Sequence, residues 1–93
     1  MLALIALAAG AGSGHRVRGH GAAIRAFQDS HSAALVTGKN AAQIFATFGK
    51  PFAVQRAGDG TPELILYKDV PLGQYCAIEL RNGVAVAVSF SFQ

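Results

Sequence analysis

Cys76, the three histidines His15, His20 and His31, and the acids Asp29, Asp59, Glu63, Asp69 and Glu79 are the side chains here that could perform catalysis or hold a metal. Their spacing assembles neither. A helical zinc pair needs two imidazoles four residues apart, so that both project from one face, whereas these histidines are separated by five and by eleven. One cysteine allows no internal disulfide and no cysteine-based zinc site. Cys76 alternates with Ile78 and Leu80 and has no basic neighbour to stabilise a thiolate, so a buried small hydrophobe is expected rather than a nucleophile. Asp59 and Asp69 sit in turn sequences, and Glu79 falls on the strand face opposite Ile78 and Leu80, where a solvated carboxylate makes a poor base. Gly38-Lys39-Asn40 looks like the end of a phosphate loop. However, Ala33 stands where that loop's first glycine belongs, and Asn40 replaces the hydroxyl residue that would hold magnesium. No catalytic, cofactor-binding or metal-binding residue is assigned, and no cofactor is expected.

Charge narrows the partner class. The net charge of +3 comes from Arg16, Arg18 and Arg25, while residues 26–93 carry five bases against five acids. A neutral body with one basic arm lacks the clustered Lys and Arg face, with interleaved aromatics, that a nucleic-acid interface shows. Ninety-three residues, 52% hydrophobic and 14% charged, make one globular domain.

The elements follow from periodicity. Leu2 to Ala9 is an uncharged apolar run, too short for a bilayer, which takes about 20 residues, and followed by Ala9-Gly10-Ala11. It has the length of a signal-peptide h-region with small residues behind it. Residues 1–14 are therefore expected to be a processed segment and the mature chain to be periplasmic or secreted. Ala11 stands where a lipoprotein signal would place its cysteine, so no covalent lipid anchor is expected. Residues 15–21, with three glycines just before them and two among them, read as a linker. Ile24, Phe27, His31, Ala34 and Leu35 then form one helical stripe, predicting a first helix from Ala22 to Leu35 with His31 at the rim of the core.

The second helix carries its own start and stop. Asn40 and Gln43 have capping-box spacing, Gly49-Lys50-Pro51 closes the element, and Ala41, Ile44, Phe45 and Phe48 make its apolar face. Beyond it the period drops to two. Residues 52–57 suit an edge strand, Glu63 to Lys68 and Tyr75 to Leu80 read as strands, and Asp69 to Gln74 reads as a loop. Asn82-Gly83 is a hairpin turn leading into Val84 to Phe92. There Val84, Val86, Val88, Phe90 and Phe92 are expected on the core face, opposite alanines and serines. The fold class is α+β, with two N-terminal helices packed on one face of a three- to four-stranded antiparallel sheet, α-α-β-β-β, over residues 22–93.

Gly38, Asn40, Ile44, Gly49 and Pro51, together with Asn82-Gly83-Val84 at the last turn, resemble the signature of the SmpA/OmlA (BamE-like) domain family. The resemblance spans residues 22–93. It implies the fold of small bacterial envelope proteins that assist outer-membrane protein assembly, related to that of the beta-lactamase inhibitory proteins. Both groups act by protein contact and neither is an enzyme. The expected function is therefore non-enzymatic protein binding in the cell envelope, with a protein partner, no nucleic acid, and a contact surface at Asp69, Leu72, Gln74 and Tyr75. Two other readings stay open: a small ligand-binding domain or enzyme of the same architecture, and a basic nucleic-acid binder.

Overall fold

The structure is a computed structural model that describes residues 15–92, with side chains from residue 21 onward. The expected processed segment, residues 1–14, lies outside the described residues. Three helices, α1 (His15–Ser30), α2 (Ala33–Val36) and α3 (Ala41–Phe48), precede four strands, β1 (Ala53–Arg56), β2 (Pro62–Asp69), β3 (Gln74–Arg81) and β4 (Val84–Phe92). The strands form one antiparallel sheet in sequence order, β1-β2-β3-β4. The α+β class, helices first and an antiparallel sheet after them, is as expected.

The first helix differs from expectation at both ends. Residues 15–21, expected as a linker, are the opening turns of α1. Gly19 and Gly21 each cost a helix about 1 kcal/mol relative to alanine, too little to stop one that continues through Ala22 and Ala23. At the far end Ser30 and His31 break the helix. The Ser30 hydroxyl donates to the Phe27 carbonyl at 2.9 Å and His31 Nδ1 lies 2.9 Å from the same oxygen, so both side chains compete with the helical ladder. His31 Nδ1 also lies 2.9 Å from the Ser30 hydroxyl oxygen. Ser32 is extended and the chain restarts as the single turn of α2. That break rotates the stripe: Ala34 and Leu35 are exposed, and Val36 is buried in their place.

The second helix is built as its sequence predicts. Asn40 Oδ1 accepts from the Gln43 N–H and Gln43 Oε1 accepts from the Asn40 N–H, each at 2.9 Å. Gly49 closes α3 at φ 85°, a conformation that favours glycine, and its N–H returns to the Phe45 carbonyl at 2.8 Å. Ile44 is buried, and Ala41, Phe45 and Phe48 pack at the margin of the core.

The core lies between the helices and one sheet face, where Ile65, Tyr67, Cys76, Ile78, Leu80 and Ala85 join Val36 and Ile44. His31 lies at its margin, half-buried. Its ring stacks on Phe48 with centroids 4.4 Å apart and lies 4.5 Å from Phe27. Phe27 in turn meets Phe90 edge-on at 6.2 Å, which pins α1 over the last strand.

Strand β4 departs from simple alternation. Asn82 at φ 55° and Gly83 at φ 80° form the expected turn, and Arg81 pairs with Val84. The register then shifts: Leu80 pairs with Ala85 but Glu79 pairs with Ala87, leaving Val86 as an extra residue, a β-bulge. One inserted residue exchanges the two faces. Val84 and Val86, expected in the core, are exposed; Ala85 is buried; Val88 and Phe90 pack on the core as predicted; and Phe92 stays exposed at the strand end.

Candidate functional site

The four residues expected to form a contact surface separate into two settings. Asp69 ends β2 and Gln74 begins β3, so the loop is only Val70 to Gly73. The Asp69 carboxylate accepts from the Leu72 N–H at 3.2 Å and the Asp69 carbonyl accepts from the Gly73 N–H at 2.9 Å, with Gly73 at φ 67°. These bonds fix the hairpin loop and engage the side chain of Asp69 internally. Leu72 is half-buried, while Val70 at the tip is an exposed large hydrophobic residue.

Gln74 is corrected from a surface to an interior residue. It is fully buried and neither its Nε2 nor its Oε1 has a hydrogen-bond partner. Its even-numbered position in β3 puts it on the face of Cys76, Ile78 and Leu80. A loop reading hid this, because the parity of a strand applies only once the strand is known to start at Gln74 rather than at Tyr75.

Tyr75, one residue on, faces the opposite way and is where an accessible cluster forms. Its ring lies 6.1 Å from that of Phe52 in an edge-on arrangement, and Lys68 Nζ sits 4.9 Å from the Phe52 centroid and 5.3 Å from that of Tyr75. Three elements position the group. Lys68 and Tyr75 are cross-strand partners on β2 and β3, and the Phe52 N–H donates to the Leu66 carbonyl at 2.8 Å, fixing the residue just before β1. Phe52 is 59% exposed. The ammonium lies within cation–π distance of both rings, on the sheet face opposite the core.

Leu64, Leu66, Ala77 and Ala53 continue this outer face toward Glu79 and Gln55 at its other end. It is a sheet surface with an aromatic and cationic end, an apolar middle and a polar end. Phe52 and Lys68 were not singled out from the sequence. The alternation Leu64, Leu66, Lys68 and the cross-strand position of Lys68 beside Tyr75 are the signals that could have found them.

The titratable interior groups do not assemble into a catalytic set. Burial pushes the Cys76 thiol up to about 11, and burial also raises Tyr67. Both are thereby held protonated. Asp59 lies lower than usual because the Thr61 N–H bonds to it at 2.9 Å, and it serves a surface turn. A depression of about 400 Å³ between that turn and the β3–β4 hairpin is lined by Asp59, Thr61, Glu63, Leu80, Arg81 and Asn82. Among the described residues no group of three or more His, Cys, Asp or Glu could hold a metal ion, and no helix is long and apolar enough to cross a membrane. Comparison with protein-family models, with curated proteins and with solved structures finds no match to this chain.

Proposed function

We propose that this chain is a non-enzymatic binding module of the bacterial cell envelope that captures a protein partner on the outer face of its sheet. The observation that supports this is the Phe52–Lys68–Tyr75 cluster, in which two aromatic rings flank a lysine on an otherwise uncharged stretch of open sheet. Aromatic side chains pre-oriented by neighbours contribute much contact area at little loss of conformational entropy, which is why they dominate binding hot spots. Periplasmic or secreted location rests on the signal-like run at Leu2 to Ala9 and on the resemblance to SmpA/OmlA domains.

Capture from a bacterial envelope extract on immobilised protein, with cross-linking and mass identification, tests the proposal. Tyr75→Ser and Phe52→Ser should each weaken capture of the same partner by about tenfold or more, the loss of one hot-spot side chain, with the melting temperature held within a degree or two. Undiminished capture by both variants would remove the outer face from the function. A substrate turnover lost on replacing one acid or His31 would replace binding by catalysis.

A further inference from the structure

The two edges of the sheet are unequal. Strand β1 is four residues long, bears Gln55 and Arg56, and is interrupted by a register shift between them. A short, charged, irregular edge resists further pairing. Strand β4 is nine residues long, Val-Ala-Val-Ala-Val-Ser-Phe-Ser-Phe, with no charge and no proline. Val84, Val86 and Phe92 are three of the exposed large hydrophobic residues, and Phe92 is 60% exposed.

Among the described residues the outer edge of β4 is occupied at one end only. The Ala85 N–H donates to the Lys39 carbonyl and the Ala85 carbonyl accepts from the Gly38 N–H, both at 2.9 Å. Ala85 therefore points its backbone away from β3 and its side chain into the core. On a strand, side-chain face and backbone direction alternate together. Val88 and Phe90, which share Ala85's core face after the bulge, consequently share its outward backbone, and Phe92 follows by parity. Among the described residues no other strand pairs with that edge.

We propose that the open half of β4, Val88 to Phe92, pairs antiparallel with the same segment of a second copy, joining two four-stranded sheets across a two-fold axis at Phe90. The segment is self-complementary in this register. Phe90 meets Phe90 and Val88 meets Phe92 as hydrogen-bonded pairs on the core side, so the exposed ring of Phe92 gains the half-buried Val88 of the other copy as neighbour. Ser89 meets Ser91 on the outer side. No like charges meet, because the segment has none, whereas like charges directly opposite would destabilise such a pair. The side chains that become neighbours are thus apolar with apolar and hydroxyl with hydroxyl, and no polar group is set against an apolar one.

Multi-angle light scattering on the purified chain should give a mass rising toward twice 9.6 kDa with concentration. Ser89→Lys combined with Ser91→Lys should weaken the dimer by about tenfold or more, and so should Ser89→Glu combined with Ser91→Glu. Mixing the two double variants should restore dimers, now of unlike chains. Both serines are exposed, so circular dichroism and melting should show folded monomers. Ser89→Cys combined with Ser91→Cys should yield a disulfide-linked dimer on mild oxidation, since residues in a non-hydrogen-bonded antiparallel pair lie about 4.5 Å apart at Cα. The proposal is overturned by a chain that stays monomeric up to about 1 mM, the weak limit of a specific contact. A dimer unaffected by the lysine pair, or charge variants that fail to restore each other, would overturn it equally.

Discussion

The Tyr67 hydroxyl donates a hydrogen bond of 2.8 Å to the carbonyl oxygen of Gly49. Residues 18 positions apart are joined by it, one in the middle of the sheet and one at the end of α3. The bond satisfies one of the carbonyls that a helix terminus leaves free and holds α3 against β2, while the Tyr67 ring meets Phe48 edge-on at 5.7 Å.

Tyr67→Phe should keep the ring and lose only this bond. The expected cost is about 1 kcal/mol, at the modest end because Gly49 is exposed and its carbonyl can turn to water. Urea unfolding should show a lower midpoint with an unchanged slope; a fall in slope would mean that α3 has detached.

Stability should decline on the alkaline side. Cys76 is a neutral acid whose ordinary pKa near 9 is pushed up to about 11 by burial. Above pH 9 the unfolded chain loses this proton while the folded chain keeps it, so the folded state binds more protons and stability falls with rising pH, levelling off above 11. The two limits differ by about 2 to 3 kcal/mol, with Tyr67 adding to the same trend at the upper end. In Cys76→Ala the slope of unfolding free energy between pH 9 and 11 should shrink, and an unchanged slope would show that the thiol is hydrated.

Gln74→Met should stabilise the fold. The native amide is buried with both polar atoms unpartnered, and methionine has nearly the same shape with no amide to desolvate. A gain of about 1 to 3 kcal/mol is expected, read as a higher melting temperature. A loss instead would locate a hydrogen-bonded water or a polar neighbour at the amide.

The parts of this fold that were legible in the sequence are those specified by adjacent residues. Asn40 and Gln43 meet because a capping box needs only three intervening bonds of helix, and Asn82-Gly83 turns because both positions take positive φ. What was hidden depends on residues far apart in the chain. Val86 bulges because Leu80 and Glu79 pair with Ala85 and Ala87 while the segment Gly38 to Asn40 lies along the same edge, and nothing within Val84 to Phe92 announces it. The candidate surface divides the same way: Tyr75 was visible as an aromatic beside a turn, whereas its neighbour Phe52 arrives from 23 positions earlier through the β1–β2 pairing.

The clasp between Ala85 and the Gly38–Lys39 backbone, followed at once by the bulge at Val86, also sets a length limit on assembly. A strand laid along β4 can run from Phe92 only as far as Val88 before it meets backbone already committed elsewhere. With the opposite margin of the sheet short and charged, the described residues leave one strand edge open to pairing, and in the proposed dimer that edge is used up. Edge pairing of the proposed kind would therefore stop at two chains, and an uncharged Val-, Ser- and Phe-rich segment of a kind suited to fibre formation would be confined to a finite particle.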